Sequence, residues 1–392
     1  METVFWVAIF ILFYTYIGYG LLLLLITAIT RKKRIIDSTY FPPVTLIVPA
    51  YNEAAFIKKK IQNTLSLEYP DGLLSFLFVT DGSTDTTDAI LNGYPQISLL
   101  HHPLREGKAA AINRAMLKVS TPYVVFSDAN TLLHPQSIIK LVQHYTDENT
   151  GGVSGEKRIA DNEHSAVGFG ERLYWQYESL LKKANGDFYT IVGAAGELFS
   201  IRTKLYQPVE STIILDDFVI SARVCQQGYR FLYESEAYGI ETSSVSLGEE
   251  KKRKIRISAG CFQSLFLLKD LLNPFRNFRV AFQYISHRVL RWMVCPLLLP
   301  IVFVINAGLL LSDSGWIYEV FFWAQSCFYF LAILGGILAG KKAVIKSLFI
   351  PYYFVFMILS QYVGFYRFAT KKQSGIWEKV DRKSFVGDSE FQ

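Results

Sequence analysis

An acid and an amide stand two residues apart at the end of an apolar run, in the sequence YVVFSDAN. Asp128 and Asn130 would face the same side of a strand end, because alternate residues of a strand share a face. Carboxylate and amide oxygens are ligands of hard divalent cations such as Mg²⁺ or Mn²⁺. Taken alone, the pair is also typical of a turn, since Asp and Asn bond to their own backbone. The chemical interpretation is a clamp on a metal-bound diphosphate.

Polar side chains also follow the three preceding apolar runs. Tyr51 and Glu53 come after the first run, Asp81 after the second, and Arg105 and Lys108 after the third. Ligands of parallel α/β sheets bind where the carboxyl ends of the strands meet, so these groups should converge on one crevice. Asp81 could accept hydrogen bonds from the edge of a nucleotide base, and the Tyr51 ring could stack on that base. With the two cations Arg105 and Lys108, the set suits a nucleotide diphosphate. Ordinary loop polarity explains any one of them, but four successive strand ends favour a site.

The elements that would position these groups alternate between strand and helix. VTLIVPA, SFLFVT, ISLL and YVVF are short apolar runs, and each precedes a polar loop and a helical pattern. This rhythm predicts a mostly parallel, Rossmann-like α/β sheet covered by helices on both faces. Its extent, from about residue 40 to about residue 257, suits a single domain with its own core.

The two ends of the chain are more apolar. Of the 392 residues, 51% are hydrophobic and 15% aromatic, which is too much for a soluble domain alone. No charged residue occurs from Thr3 to Thr30, and the basic cluster Arg31 to Arg34 that follows indicates a cytoplasmic end. A retained anchor is favoured over a signal peptide, because no small-residue cleavage site precedes the cluster. Three further uncharged runs have spanning length: Trp292 to Ser312, Val320 to Gly340 and Ser347 to Tyr366.

This pattern predicts five regions and leaves one question of topology open. The regions are an N-terminal transmembrane anchor (1–34), a cytoplasmic domain (40–257), interfacial amphipathic helices (258–291), C-terminal transmembrane helices (292–367) and a basic tail (368–392). Four crossings that begin outside would leave the tail outside, whereas its Lys and Arg residues favour the cytoplasm. Either one apolar run is re-entrant or interfacial, or the charge rule is overridden.

The net charge of +6 is explained by basic clusters beside the apolar runs. Such clusters indicate contact with membrane lipids rather than with nucleic acid. The four cysteines, Cys225, Cys261, Cys295 and Cys327, show no metal-type spacing. They are predicted to be small buried hydrophobic residues.

Six segments, taken in order, resemble the membrane-bound, inverting family 2 glycosyltransferases of the GT-A fold, the group that contains cellulose, hyaluronan and poly-N-acetylglucosamine synthases. They are PAYNE at 49–53, DGSTD at 81–85, REGKAAAIN at 105–113, SDAN at 127–130, GAAGELFSIR at 193–202 and LDDF at 215–218. Any one segment would be a weak signal, but their order makes the resemblance specific.

The resemblance implies a donor side, a metal site and a catalytic base. Donor-binding positions of the family fall on Tyr51, Glu53, Asp81, Lys108, Asp128, Arg253 and Arg256. The metal motif Asp-x-Asp falls on Asp128 and Asn130, so an amide replaces its second acid. Asp217 takes the place of the base that removes the proton of an acceptor hydroxyl. Capping of the following helix is the alternative role for Asp216 and Asp217.

An acceptor side is implied by two glycines and an altered motif. Gly193 and Gly196, with Asp216 nearby, are expected to form a floor that a sugar approaches closely. Synthases of this group often carry Gln-x-x-Arg-Trp beyond the base, whereas EEKKRKIRISAG has two arginines and Ile257 in place of the Trp. The arginines suit a diphosphate or, alternatively, a basic stripe at the membrane surface. The absent Trp weakens the case for a long processive polymer.

The sequence therefore predicts a membrane-bound, inverting glycosyltransferase that uses a nucleotide sugar, expected to be UDP-linked. The acceptor is a growing polysaccharide, with export along the membrane helices as a hypothesis, and the alternative is a single transfer to a polyprenyl phosphate or other lipid. The resemblance implies the bacterial inner membrane, with the catalytic domain in the cytoplasm. A transporter or a receptor that only binds nucleotide is disfavoured, because the four apolar runs contain no charge.

Overall fold

The computed structural model describes residues 1–30, 36–160, 166–312, 314–340 and 345–375. The predicted basic cluster Arg31 to Arg34 and the tail beyond residue 375 lie outside the described residues.

The described strands form one mixed sheet in the middle of the chain. They are β1 (Val44–Ala50), β2 (Leu74–Asp81), β3 (Ser98–His102), β4 (Tyr123–Phe126), β5 (Leu132–Leu133), β6 (Thr150–Ile159), β7 (Phe199–Arg202) and β8 (Arg230–Glu241). Their spatial order is β3-β2-β1-β4-β7-β6-β8-β5. Strands β3, β2, β1 and β4 run parallel, as do β6 and β8, while β7 and β5 run antiparallel to their neighbours. The predicted α/β class with a mostly parallel sheet is confirmed.

Helices precede, cover and follow this sheet. They are α1 (Glu2–Phe13), α2 (Tyr19–Thr30), α3 (Ile57–Leu65), α4 (Thr87–Asn92), α5 (Lys108–Met116), α6 (Ser137–Val142), α7 (Ala166–Phe188), α8 (Asp216–Gln226), α9 (Leu247–Leu267), α10 (Phe278–Tyr284), α11 (Cys295–Leu311), α12 (Trp316–Gly340) and α13 (Lys346–Ala369). Two π-helical segments, Tyr14–Gly18 and Ile285–Val294, join α1 to α2 and α10 to α11. The first half of the sheet has the strand order 3-2-1-4, and such a reversal opens a crevice at the carboxyl ends of β1 and β4.

Both faces of the sheet are buried, as expected for parallel strands linked by crossover helices. All seven residues of β1 are buried, and alternate side chains point to opposite faces. Ile47 packs in one core with Val79, whereas Val48 packs in the other with Phe78. This double burial fixes the register of β1, and with it the position of the loop that follows.

Four helical segments are long and apolar enough to cross a membrane: Glu2–Thr30, Phe278–Leu311, Trp316–Gly340 and Lys346–Ala369. The second begins at Phe278 rather than at Trp292, so it takes in part of the region predicted as interfacial helices. The sequence hides this continuity because three polar residues, His287, Arg288 and Arg291, interrupt the apolar pattern. Cys327 on α12 is exposed, so the prediction that all four cysteines are buried is wrong at this position.

The N-terminal segment packs first on other apolar helices and then on the α/β domain. Near its start, Trp6 Nε1 donates to the Tyr318 hydroxyl at 3.2 Å. Further along, the Tyr19 hydroxyl donates to Asn185 Oδ1 of α7 at 2.5 Å, and Leu23 packs with α7 in one small core. The second half of this helix is therefore anchored on the domain.

Helix α13 lies along α9 and keeps both of its ends beside the α/β domain. The Tyr353 hydroxyl donates to Glu250 Oε1 of α9 at 3.3 Å. Further along, a β-carbon added to Gly364 would be 2.5 Å from the Ser258 Cβ of α9. After α13 the chain turns, and a β-carbon at Gly375 would lie 2.5 Å from the Ser211 carbonyl oxygen. The start of the tail thus lies against the α/β domain.

Candidate active site

The carboxyl ends of β1 and β2 form a small pocket together with the start of α5. This strand-end pocket encloses about 40 Å³ and is lined by Pro49, Ala50, Tyr51, Glu53, Asp81, Arg105, Gly107, Lys108 and Ala111. The structure therefore brings together the donor-side residues predicted from the first three strand ends. The pocket is narrow because the Arg105 guanidinium lies over the Tyr51 ring, 3.7 Å from its centre.

Asp81, the last residue of β2, is fully engaged by its own surroundings. Its Oδ2 accepts from the backbone N–H groups of Glu106 at 2.9 Å and Gly107 at 2.6 Å, while Oδ1 accepts from Arg114. Asp81, His102 and Glu106 also have ligand atoms within 4.8 Å of one another. Arg114 pairs with both carboxylates of this group and already supplies a positive charge there.

An acidic cleft lies next to the strand-end pocket, on the far side of Lys108. It encloses about 110 Å³, and its lining includes Lys108, Asp128, Gly196, Glu197, Asp216, Asp217, Arg253, Arg256 and Gly375. The Lys108 Nζ donates to Asp128 Oδ1 at 2.6 Å and lies 3.8 Å from Asp216 Oδ2. The loop after β4 supplies Asp128, the first turn of α8 supplies Asp216 and Asp217, and the start of α5 supplies Lys108. Glu197 comes from the loop before β7. Sequence positions that are far apart thus meet in one cleft.

The absence of a side chain at Gly196 leaves the middle of the acidic cleft open. A β-carbon there would lie 3.0 Å from Lys108 Nζ, 3.2 Å from Asp217 Oδ2 and 3.3 Å from Asp128 Oδ2. Gly193 has a different reason to be glycine, because its φ of +102° is rarely adopted by other residues and a side chain would overlap the Phe218 ring. Of the two glycines predicted to form a floor, Gly196 therefore lies beside the acids, and Gly193 lies against Phe218, the residue after Asp217.

The residues predicted to hold a metal provide oxygen atoms suited to a hard cation. Asp128 presents a carboxylate to the acidic cleft. The Oδ1 of Asn130 is buried and has no hydrogen-bond partner among the residues that the structure describes. A buried polar atom without a partner is costly, and a cation is one group that would satisfy it. Of the two predicted ligands, only Asp128 is among the residues that line the acidic cleft. Carboxylate and amide oxygens are the ligand types that Mg²⁺ and Mn²⁺ prefer.

The electrostatics of the acidic cleft favour a proton acceptor at neutral pH. Burial, and then the neighbouring Asp216 carboxylate, raises the pKa of Asp217 to about 7. Burial also raises the pKa of Asp216, against the opposing effect of Lys108. For Lys108, burial lowers the pKa, but the three surrounding carboxylates outweigh it and the pKa is raised. A carboxylate with a pKa near the working pH is well matched to a general base.

A larger apolar cavity opens on the other side of Asp217. It encloses about 390 Å³, and its lining includes Tyr16, Phe169, Trp175, Glu178, Lys182, Asp217, Phe218, Ile257, Arg288, Arg291, Trp292, Phe349 and Met357. Helices α7, α9 and α13 and the π-helical segment Ile285–Val294 form most of its wall. Asp217 lines both the acidic cleft and the apolar cavity, so it stands where the two meet.

The structure supplies a tryptophan that the sequence analysis did not find. The Trp292 and Phe218 ring centres are 5.2 Å apart, and Phe218 directly follows Asp217. Ile257, where the sequence analysis noted the missing Trp, lines the same cavity. The sequence did contain a signal, because residues 288–292 read RVLRW and match the Arg-Trp end of the motif sought near Ile257. The Ile at position 257 therefore does not count against a long polymer, because Trp292 lines the same cavity.

The two predicted diphosphate arginines line the acidic cleft, but Arg253 is also held from behind. Its Nε donates to Glu250 Oε2 at 3.0 Å, and it pairs with Glu171 of α7. Arg256 lines the cleft from the next turn of α9. These pairs hold the Arg253 side chain in the cleft that Asp128 also lines.

A crevice where the strand order reverses, an acidic cleft and a separate cavity of about 390 Å³ together fit a glycosyltransferase of the GT-A fold. Comparison with known proteins supports this class. Residues 45–209 match the model of glycosyl transferase family 2, so the α/β domain is a family 2 glycosyltransferase domain. The predictions of fold, family and enzyme class are confirmed.

Two similar proteins match this chain beyond the α/β domain. Poly-β-1,6-N-acetyl-D-glucosamine synthase of Staphylococcus aureus (strain COL) is 24% identical over 266 residues, which cover 64% of this chain and 61% of that protein. The synthase of the same name from Staphylococcus epidermidis (strain RP62A) is 21% identical over 366 residues, or 86% and 87% of the two chains. The chain thus spans about three fifths of the length of the first of these relatives.

A solved structure shows the same fold over nearly the whole chain. It is the mannosyltransferase PcManGT from Pyrobaculum calidifontis, in complex with GDP-Man and Mn²⁺. It has a TM-score of 0.69 and 21% sequence identity, and the match covers 94% of this chain and 100% of that one. The likeness therefore includes the flanking helices as well as the α/β domain.

Proposed function

We propose that this protein transfers a sugar, with inversion, from a UDP-sugar to a growing glycan. The observation that carries the proposal is the position of Asp217, which has a pKa of about 7 and stands between the acidic cleft and the apolar cavity. A donor diphosphate in the cleft and an acceptor in the cavity would meet at this carboxylate.

Asp217 is the base of the proposed reaction. It removes the proton of an acceptor hydroxyl while that oxygen attacks the anomeric carbon of the donor sugar. The new carbon–oxygen bond forms as the bond to the diphosphate breaks, and UDP leaves with the electron pair. Attack from the cavity side, opposite the diphosphate, inverts the configuration. Asp216 lies behind this base and raises its pKa, so its role is electrostatic.

The donor is held by the strand-end pocket and the acidic cleft. Tyr51, Glu53 and Asp81 are proposed to bind uridine, which requires the Arg105 side chain to leave the face of the Tyr51 ring. Lys108, Arg253 and Arg256 contact the diphosphate or the sugar. Asp128 and Asn130 would hold Mg²⁺ or Mn²⁺, which as a Lewis acid stabilises the departing diphosphate when bound.

The acceptor is proposed to bind in the apolar cavity, with Trp292 and the Gly193 to Gly196 floor beside its reactive end. A polysaccharide is the first choice because the two staphylococcal proteins that the chain resembles are named poly-β-1,6-N-acetyl-D-glucosamine synthases. One observation favours the alternative, transfer to a lipid-linked acceptor: aromatic and aliphatic residues of α13 form one wall of the cavity.

The contacts of α13 and of the start of the tail support one membrane arrangement. Three successive crossings after Phe278 would put Gly375 on the side opposite the catalytic domain, yet it lies against Ser211. We therefore propose that α13 is interfacial, resting on α9 and membrane lipids, and that the other three segments cross. The catalytic domain and the tail then share the cytoplasmic side of a bacterial inner membrane.

The test of function is UDP release by detergent-purified protein supplied with a panel of UDP-sugars, with Mg²⁺ or Mn²⁺ and with chelator. Metal-dependent release with one sugar, and products whose size grows with time, would support glycan synthesis. Products with a single sugar on extracted lipid would select the alternative. Absence of release with every UDP-sugar and acceptor preparation, from protein that melts cooperatively, would contradict the proposal.

A further inference from the structure

One buried acid of α7 holds three side chains of the π-helical segment Ile285–Val294. Glu178 has 2% of its surface exposed. Its Oε1 accepts from Arg288 Nη1 at 2.9 Å, and its Oε2 accepts from Arg291 Nη1 at 2.9 Å and lies 3.3 Å from His287 Nε2. Both oxygens are therefore occupied by groups of a single segment. The arrangement is a clamp between two elements that are more than a hundred residues apart in sequence.

The segment that supplies these three partners has π-helical geometry. Hydrogen bonds in a π-helix join residues five apart, so its turn is wider than that of an α-helix. Such segments are rare and usually occur as single turns, often at functional sites. Here the segment extends over ten residues, Ile285–Val294, and ends next to the aromatic contact of Trp292 with Phe218.

The clamp continues from Arg288 to the neighbourhood of the proposed base. Arg288 Nε donates to the Val192 carbonyl oxygen at 2.9 Å, immediately before the Gly193 turn. Its guanidinium carbon lies 5.7 Å from the Phe218 ring centre and 5.2 Å from that of Trp292, within reach of a cation–π attraction. Glu178 is thus linked through one arginine to the acceptor-side floor and to the ring that follows Asp217.

We propose that Glu178 is a positioning residue, which holds the Arg288–Trp292 segment so that the acceptor-side floor and Phe218 keep Asp217 aligned with the acceptor hydroxyl. The inference rests on the proposed function, because it assumes that Asp217 is the base. In the proposed reaction, Glu178 does not contact the reacting atoms. A neutral residue at position 178 would leave two guanidinium groups without their shared acid, and a displacement of about 1 Å at a reacting centre costs on the order of 10²-fold in rate.

The experiment uses the full-length protein with Glu178→Gln, Glu178→Asp and, as a matched control, Glu234→Gln. Glu234 is a mostly buried acid that bonds to His144 at 2.7 Å in another part of the domain, so it reports the cost of removing any such carboxylate. For each variant we would measure kcat, the donor KM, UDP binding, the melting temperature, and hydrogen exchange of the segments 190–198 and 285–294.

Glu178→Gln is expected to lower kcat by about 10²-fold, with donor KM and UDP binding within about twofold of the unsubstituted protein. Exchange should rise in both segments, including the floor that Glu178 does not contact. Glu178→Asp keeps the charge but shortens the reach, so it should restore the melting temperature while kcat stays about tenfold low. Glu234→Gln should lower the melting temperature without changing kcat per folded molecule or exchange in these segments.

The hydrogen-exchange result separates this inference from the proposed function, since it needs no substrate. Unchanged exchange in 190–198 in Glu178→Gln, or a kcat loss no larger than that of Glu234→Gln, would overturn the positioning role. If no UDP-sugar is turned over by the unsubstituted protein but exchange rises as expected, the clamp stands and the assignment of the reaction is what fails.

Discussion

The proposed donor side and the proposed acceptor side of this enzyme are built in opposite ways. The donor side consists of short loops that follow parallel strands, and its polar groups face an opening of only about 40 Å³. The acceptor side is a cavity of about 390 Å³ whose wall comes from helices spread between α7 and α13. Its buried charges pair with one another, as Glu178 does with Arg288 and Glu250 with Arg253.

This difference matches the two ligands that the proposed reaction needs. An anionic nucleotide requires charges that face the opening, whereas an uncharged glycan requires a smooth wall with charges that cancel inside the protein. Paired charges also cost less in a low-dielectric wall than isolated ones. The division predicts that substitutions on either side will change the kinetic constants of one substrate and spare those of the other.

The largest effect is expected at Asp217, the proposed base, which lines both the acidic cleft and the apolar cavity. Asp217→Asn should reduce turnover by about 10³-fold, because the amide cannot accept the hydroxyl proton. UDP release measures turnover, and calorimetric binding of UDP should be unchanged. Asp147→Asn, which loosens a partly buried pair with Arg230 away from the acidic cleft, is the matched control and should retain full activity. Full activity in Asp217→Asn would remove the base and, with it, the division into two sides.

Filling the space between the two sides should have the next largest effect. Gly196→Ala would put a methyl group about 3.0 to 3.3 Å from Lys108, Asp128 and Asp217, where the reacting groups must meet. We expect turnover to fall by about 10²-fold with a normal melting temperature. Gly340→Ala, at a position with open space around it, is the control. Equal rates for the two alanine variants would show that the cleft is not the reaction centre.

The pH dependence should follow the Asp217 carboxylate. A base works only when deprotonated, so kcat should fall about tenfold for each pH unit below the Asp217 pKa of about 7 and level off above it. Burial and the Asp216 charge cause the elevation, so Asp216→Asn should move the midpoint to lower pH. A profile that is flat from pH 5 to 8 would contradict Asp217 as the base.

A smaller and more selective effect is expected at the aromatic wall. Trp292→Ala should raise the acceptor KM by about tenfold and leave the donor KM unchanged, since loss of an aromatic contact costs on the order of 1 kcal/mol. Ile257→Ala tests the position at which the sequence analysis placed this function and should have less effect. A donor KM that rises with Trp292→Ala would show that the two sides are not independent.

The smallest effect on activity is expected from two cysteine substitutions. They test whether α13, which forms one wall of the proposed acceptor cavity, crosses the membrane. In Ser374→Cys the new thiol should react with a membrane-impermeant maleimide only from the cytoplasmic side, and activity should be retained. A thiol introduced by Ser314→Cys, between α11 and α12, should react from the other side. Labelling of both positions from the same side would mean that α13 crosses the membrane.

The donor side was predictable because each of its parts is local in sequence. A strand followed by Tyr51, Asp81 or Asp128 puts its side chain at the crevice whatever the rest of the chain does. The acceptor side depends on contacts between distant helices, such as that of Phe218 with Trp292. Nor does any local pattern show that Glu178, on the amphipathic helix α7, points inward to two arginines rather than outward to water.

Composition and packing give different helix limits near the C-terminal end of the described chain. The apolar run that begins at Trp292 is only the later part of a helix that starts at Phe278, because polar residues that contact the domain break the pattern. The apolar run in α13 has spanning length, yet its contacts with α9 and the position of Gly375 decide its proposed placement.

The meeting of the acidic cleft and the apolar cavity at Asp217 has a consequence for the order of events during synthesis. In the proposed reaction, UDP would leave through the strand-end pocket while the acceptor stays bound in the apolar cavity. A new UDP-sugar could then enter the strand-end pocket without displacing the acceptor. Repeated addition to one chain would need only a forward step of the acceptor by one sugar, with no release between cycles.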